Sequence, residues 1–375
     1  MGNNKMKTIT AAVARGPSQF FSLETLRIDE PRPDEVLVRV VATGICHTDL
    51  VFHSAGVPAA PAVLGHEGAG VVERVGSAVR KVKPGDHVVL TYASCGGCPN
   101  CQRARQSYCA SFIALNLTGL RTPDCSSPLS TLDGQRVHGA FFGQSSFANY
   151  AMASERNVVK VPEDVPLEIL GSLGCGIQTG AGTVLNVLKA TPGSRIAVLG
   201  AGTVGLSAVM AAKVVGCSEI IAIDINTERL ALARELGATH CIDGSQVDAV
   251  LAVRELTGDG VQYSVECTGS ANVLRQAVEM LRPTGECGFV GASAPGAKVE
   301  LDMRTLLMGR TLRGVIEGDS IPDLFIPELI SLWRQGRFPF DRLCSFYELA
   351  DINQAIEDTH NGAVIKPILR MPHSL

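Results

Sequence analysis

Short apolar runs broken by turn residues fill the first third of the chain. Residues 35–41, 70–75 and 86–90 each read as a strand, with Gly65-His66 and Pro84-Gly85 as turns between them. Closely spaced strands of this kind predict a β-rich domain. Residues 121–138 are polar with little periodicity and read as an exposed loop. From Ser194 onward the pattern changes. A strand at 194–199, a helix at 203–215, a strand at 219–224 and a helix at 227–236 follow one another, and Gly237 ends the last. Further strands at 240–243, 261–267 and 287–290 continue the series. That alternation predicts a parallel sheet with helices on both faces. Near the carboxyl end, 324–333 reads as an apolar helix and 364–369 as a short strand.

Composition narrows the class. Hydrophobic residues make up 46% and charged residues 19%, which excludes a wholly disordered chain. The charge sum, 33 − 37 = −4, excludes the basic footprint of a nucleic-acid binder. The uncharged run 196–212 carries three glycines and is too short for a membrane span. No apolar run follows Met1, and Met6 stands where a myristoylation motif on Gly2 needs Ser or Thr. The expected compartment is therefore the reducing cytoplasm. In it, twelve cysteines read as metal ligands or packing residues rather than disulfides.

Three groups of residues carry chemistry. Gly200, Gly202 and Gly205 form a G-x-G-x-x-G after a strand and before a helix, and Asp224 ends the next strand, nineteen residues past Gly205. Gly200 permits the turn, Gly202 lets the backbone approach a pyrophosphate, and Gly205 lets helix and strand pack closely. An acid at 224 bonds the ribose hydroxyls of NAD and repels the 2′-phosphate of NADP. Cys95, Cys98, Cys101 and Cys109 form C-x2-C-x2-C-x7-C, whose short gaps let one loop enclose a structural zinc ion. Cys46-His47-Thr48-Asp49, Gly65-His66-Glu67 and Gly174-Cys175-Gly176 are a dispersed third group, and each alone is weak. The other six cysteines have no ligand spacing and read as packing residues.

Gly65-His66-Glu67-x-x-Gly70, followed by Gly76 and Val79, resembles the signature of zinc-containing medium-chain alcohol dehydrogenases. The four-cysteine loop, the glycine-rich turn and Cys175 come in that family's order, so the resemblance covers the whole chain. It implies a GroES-like β-rich catalytic domain (1–178, with the zinc loop at 95–109), a Rossmann cofactor domain (179–316) and a segment returning to the catalytic domain (317–375). The active site would lie in the cleft between the domains. It implies two zinc ions per subunit. The catalytic one would be held by Cys46, His66 and Cys175, with Glu67 beside it and Asp49 orienting His66. Thr48 would take the alcohol proton, and the resulting zinc-bound alkoxide would pass hydride to NAD. Thr179 and Val204 would face the nicotinamide and Arg229 the adenosine ribose. His47 and Lys366 would face the pyrophosphate. The relay histidine of many members is replaced here by Val51, and His53 two residues on is expected to face elsewhere.

Several stretches look most like bacterial benzyl (aryl) alcohol dehydrogenases, among them 141–147 and 174–180. Phe141 and Phe142 fall where that family lines its substrate channel, although plain core packing explains them equally well. The resemblance therefore implies an aromatic primary alcohol as substrate, with allylic terpene alcohols of the geraniol or perillyl type as the alternative. It also implies a homo-oligomer, dimer or tetramer. A zinc-bearing nucleotide-binding protein without catalysis is the distant alternative, and ligand residues at every catalytic position argue against it.

Overall fold

A computed structural model describes residues 6–122, 124–293 and 296–372. The amino-terminal residues behind the reading of Gly2 lie outside them. The chain divides into two compact units: residues up to Cys175 with Ile321–Pro327 and everything from Leu343, and Gly176–Ser320 with Glu328–Arg342.

The first unit is built on the strand Glu35–Gly44. Its run Val36-Leu37-Val38 is buried on both faces, as a central strand requires. It pairs antiparallel with Gly68–Val75, with Tyr150–Ser154 and with the late strand Lys366–Arg370. The register sets Thr43 opposite Gly68 and Gly44 opposite Ile368. One end of this sheet therefore gathers the residues just after Gly44, just before Gly68 and just before Ile368. Those are Cys46, His66, Glu67 and Lys366. Beyond these strands the sheet extends through His87–Leu90 to Val158–Lys160 on one side and to Cys344–Glu348 on the other. A second, five-stranded sheet is built on Lys7–Ala14 and Ser22–Ile28, two strands the hydrophobic pattern had not marked.

In the second unit the six-stranded sheet is parallel throughout. Its strands run in the order His240–Asp243, Glu219–Asp224, Arg195–Leu199, Val261–Glu266, Leu281–Phe289 and Thr311–Gly314. Numbered along the chain, that is 3-2-1-4-5-6, the Rossmann order. The order reverses beside Arg195–Leu199, the strand that leads into Gly200. The helices Thr203–Val215 and Thr227–Leu236 have the bounds expected of them, and Asn226 caps the second by accepting from the N–H groups of Glu228 and Arg229. Among the described residues, no helix is long and apolar enough to cross a membrane.

Residues 121–138 differ from the expected exposed loop. Arg121 is buried, and its guanidinium bonds Glu35 (2.6 and 2.8 Å) and Asp29 (2.6 Å). Leu129–Ser130 pairs with Arg136–Val137, and Leu129 and Val137 enter the core. A polar stretch thus folds down because one cation neutralises a buried carboxylate on the central strand. Removing that cation leaves the Glu35 charge buried and uncompensated, at a cost of about 3 kcal/mol. Arg121→Ala should lower the stability read by urea unfolding by that order, and a change under about 0.5 kcal/mol would show the pair to be incidental.

Candidate active site

Cys46 ends the extended segment after Gly44 and stands at the N-cap of the helix His47–Ser54. Asp49, in the first turn and wholly buried, uses both carboxylate oxygens. Oδ2 accepts from the Cys46 N–H at 2.9 Å, and Oδ1 accepts from the Gly65 N–H at 3.2 Å and bonds His66 Nδ1 at 2.8 Å. One side chain thereby caps the helix, pins the turn before His66 and fixes the imidazole. With Nδ1 donating to Asp49, the lone pair of Nε2 is left for another partner. His66 Nε2 is buried and has no hydrogen-bond partner. Donor atoms of Cys46, His66, Glu67 and Cys175 all lie within 4.8 Å of one another. Two sulfurs, an imidazole nitrogen and a carboxylate around an orphaned buried nitrogen fit zinc well.

The approach is close enough to dictate small residues. A Cβ on Gly44 would lie 2.0 Å from Glu67 Oε2, and one on Gly171 would lie 2.1 Å from the Glu67 carbonyl oxygen. The charges are arranged as tightly. The Cys46 thiol is held well below its ordinary pKa, first by its hydrogen bond with Cys175 and then, against the cost of burial, by His66 and Lys366. His66 is drawn well above its ordinary value: burial opposes this, and Asp49 and Cys46 outweigh it. Burial pushes Glu67 up while Lys366 pulls it down.

Lys366 is where the structure departs from expectation. Its ammonium meets a carboxylate of its own unit. Nζ is buried and bonds both Glu67 oxygens, at 2.9 and 2.8 Å, and the Ile45 carbonyl at 3.1 Å. The cause is the pairing of Gly44 with Ile368, which swings the start of the last strand over Glu67. His53 departs too. Together with His47 and Val51 it lines a cavity of about 490 Å³. Its Nε2 meets the Gly16 carbonyl at 3.1 Å, and its ring lies 4.5 Å from that of Phe21. His53 and Val51 thus share a cavity despite their angular separation on the helix. His47 is exposed and Thr48 half-buried in the first turn.

The aromatic stretch at 141–147 closes over the same cluster. The Phe142 ring stacks on His66 at 4.5 Å and 26°, and Phe141 meets His66 edge-on at 5.9 Å. Gln144 holds the segment down: Nε2 donates to the His66 carbonyl at 2.9 Å and Oε1 accepts from the Gly68 N–H at 3.1 Å.

Cys95, Cys98, Cys101 and Cys109 form a second donor cluster within the same 4.8 Å limit. Cys98 and Cys101 sulfurs are 3.5 Å apart. Backbone N–H groups of Cys95 and Ser111 point at Cys109, that of Cys98 at Cys95, and that of Ala110 at Cys98. Such donors stabilise thiolates, and hydrogen bonds from Ala110 and Cys101 bring the Cys98 thiol down to about 6. Burial instead pushes Cys101 up to about 12, so the closed set needs a cation to be fully ionised.

In the second unit, Gly200 has φ +96°, and a Cβ on Gly205 would lie 1.8 Å from the Gly200 carbonyl oxygen. Above Gly202, by contrast, a Cβ would meet nothing within 4 Å, which leaves the helix N-terminus open to a phosphate. The Asp224 carboxylate accepts from the Ala201 N–H at 2.5 Å and the Asn226 N–H at 2.9 Å, so it braces the turn. The buried Arg229 Nε has no partner. Val204 is half-buried, Thr179 is buried, and the Val204 carbonyl lies against Gly180.

The two clusters have separable consequences. Cys46→Ser should leave a folded chain that keeps one zinc ion and loses turnover. Cys98→Ser opens a closed site and should give an unstable or insoluble chain, because structural metal binding contributes folding free energy. Metal analysis and thermal unfolding check both. Two retained zinc ions in Cys46→Ser, or wild-type stability in Cys98→Ser, would contradict the assignment.

Comparisons with known proteins identify the family. Residues 32–163 match the family model for the alcohol dehydrogenase GroES-like domain, and residues 203–332 match that for zinc-binding dehydrogenases. A geraniol dehydrogenase of Castellaniella defragrans is 45% identical over 361 residues, covering 96% of either chain. The crystal structure of a benzyl alcohol dehydrogenase from Acinetobacter calcoaceticus superposes with TM-score 0.94 at 47% identity, over 98% of this chain and all of that one. A zinc-binding-domain alcohol dehydrogenase from Burkholderia ambifaria gives 0.96 at 55%, with the same coverage. With these matches over nearly its whole length, the chain belongs to the zinc-containing medium-chain alcohol dehydrogenases, with a GroES-like unit and a Rossmann unit.

Proposed function

We propose that this alcohol dehydrogenase oxidises primary alcohols whose carbinol carbon adjoins an aromatic ring, with NAD as hydride acceptor. The observation that carries the substrate class is the pair of phenylalanines packed on His66, one stacked and one edge-on. An aromatic face beside a metal ligand favours a flat, apolar substrate over a short aliphatic one. The benzyl alcohol dehydrogenase of similar structure supports the same class. A second reading, an allylic terpene alcohol, is favoured by the relative named geraniol dehydrogenase.

The reaction converts R–CH₂OH and NAD⁺ to R–CHO, NADH and one proton. Cys46, His66 and Cys175 would hold a zinc ion, which would supply a Lewis acid that eases loss of the hydroxyl proton. NAD supplies the hydride acceptor. The chain's own side chains do the remaining work. Asp49 fixes His66 through Nδ1, so Nε2 would be the nitrogen that holds the metal. Thr48, in the first turn beyond Cys46, takes the hydroxyl proton, and with Val51 at the position next along the relay that proton passes to water. Lys366 holds Glu67 in an ion pair, so Cys46, His66 and Cys175 would be the side chains left to hold the metal. Gly202, Asp224 and Arg229 bind the adenosine diphosphate half. Asp224, followed by exposed Ile225 rather than a cation, disfavours a 2′-phosphate.

An exposed apolar group at one end of the six-stranded sheet belongs to the same proposal. The strand Thr311–Gly314 ends its sheet, and Met303, Leu307 and Met308 beside it are exposed. A homo-oligomer closing this edge would bury them, and the chain's mass in solution tests it.

Initial rates with benzyl alcohol, geraniol and ethanol, each with NAD and NADP, test the whole reading. Benzyl alcohol should exceed ethanol in kcat/KM by at least about tenfold. NAD should exceed NADP, and Asp224→Gly should shift that ratio toward NADP by roughly tenfold. A preference for geraniol over benzyl alcohol would select the second reading. Equal use of both nucleotides by the wild-type enzyme would refute the cofactor assignment.

A further inference from the structure

A conformationally demanding segment of the second unit contains a carboxylate that the reaction scheme does not use. Glu317, Gly318 and Asp319 are three consecutive residues in the left-handed region, with φ +52°, +63° and +50°. Two of them carry side chains, for which that conformation is costly. The turn is nonetheless locked in place. A Cβ on Gly318 would lie 2.4 Å from the Gln178 carbonyl oxygen, and one on Gly182 would lie 2.4 Å from the Gly318 carbonyl oxygen. Asn186 Nδ2 donates to that same carbonyl at 3.1 Å, and Asp319 pairs with Arg313. A strained turn held this firmly points to a requirement on what it carries.

It carries the Glu317 side chain inward. The residue is only 6% exposed. Gln178 Nε2 donates to Glu317 Oε2 at 3.1 Å, and the Thr179 hydroxyl lies 3.5 Å from the same oxygen. The other end of the Gln178 amide accepts from the Ser320 hydroxyl at 2.8 Å, which orients the amide so that its nitrogen faces the carboxylate. Gln178 and Thr179 sit on the helix Gly176–Gly182, buried at every position. Thr179 is the residue read above as facing the nicotinamide.

We propose that Glu317 sets the charge felt by the nicotinamide ring, favouring the oxidised ring over the reduced one. The inference rests on the cofactor reading above. The oxidised ring carries a positive charge, and gaining a hydride removes it. A buried carboxylate one side chain away therefore stabilises NAD⁺ while leaving NADH nearly untouched, and the low dielectric of its surroundings strengthens the effect. Glu317 thereby tightens the hold on the oxidised cofactor relative to a site without it, with little effect on the reduced one. Gln178 and Thr179 position the carboxylate rather than being positioned by it alone.

The test measures equilibrium binding of NAD⁺ and NADH to the zinc-loaded chain at fixed pH and ionic strength, by calorimetry and by NADH fluorescence. In Glu317→Gln the ratio Kd(NAD⁺)/Kd(NADH) should rise about tenfold over wild type, with the NADH Kd little changed. Glu317→Asp, which keeps the charge, should hold the ratio near wild type. An unchanged ratio, or equal loss of both ligands, would show that Glu317 only packs the turn and would overturn the proposal while leaving the cofactor reading intact. If Glu317→Gln does not fold, Glu317→Ser is read in the same assay against the same two outcomes. If the wild-type chain prefers NADP, the pair NADP⁺ and NADPH replaces the probes, since the ring is the same. Failure of the wild-type chain to bind any nicotinamide nucleotide would overturn the cofactor reading and this proposal together.

Discussion

Buried sulfur anions need a cation. Cys46 and Cys175 bring two thiols into a site that also contains Glu67 and Asp49, and burying uncompensated charge there costs far more than any single packing contact returns. The surroundings divide the problem. Lys366 answers Glu67, and the Asp49–His66 hydrogen bond answers Asp49 while turning Nε2 away from it. What is left is a pair of thiolates and one nitrogen lone pair, which a dication balances. The four-cysteine loop poses the same requirement at the surface of the same unit, where backbone N–H groups supply part of the answer.

The residues that meet this requirement are far apart in sequence and are united by sheet register. Cys46, Glu67 and Lys366 lie just beyond the same end of three paired strands, because Thr43 faces Gly68 and Gly44 faces Ile368. A slip of one residue in either pairing would turn these side chains to the opposite face. Gly44 and Gly171 leave room for Glu67 that no other residue would. Catalytic geometry here is a property of the central strand, and the Rossmann unit repeats the logic. Its glycine-rich turn is braced by Asp224 from the neighbouring strand.

Motifs with local spacing were legible in the sequence. The glycine-rich turn, the four-cysteine loop and the helices Thr203–Val215 and Thr227–Leu236 each depend on residues within one or two turns of one another. What the local sequence does not show depends on distant partners. Nothing near Lys366 in sequence shows that Glu67, 299 residues away, takes its ammonium. Residues 121–138 looked like loop because Arg121 is fixed by Glu35, 86 residues earlier. The strands Lys7–Ala14 and Ser22–Ile28 were missed although they pair with each other, since their apolar positions are small or irregular. Glu317 gave no signal at all: Glu-Gly-Asp reads as an ordinary turn, and only the backbone angles and the burial reveal otherwise.

Zinc K-edge absorption of the zinc-loaded chain tests the central claim most directly. Four thiolates at one ion, and two thiolates with an imidazole and a light fourth ligand at the other, give six sulfurs over two ions. The averaged spectrum should therefore show about three sulfurs at roughly 2.3 Å and one nitrogen or oxygen at roughly 2.0–2.1 Å per zinc. In Cys46→Ser, with one ion retained, it should become all sulfur. A wild-type spectrum of four sulfurs per zinc, or one dominated by nitrogen and oxygen, would contradict the account.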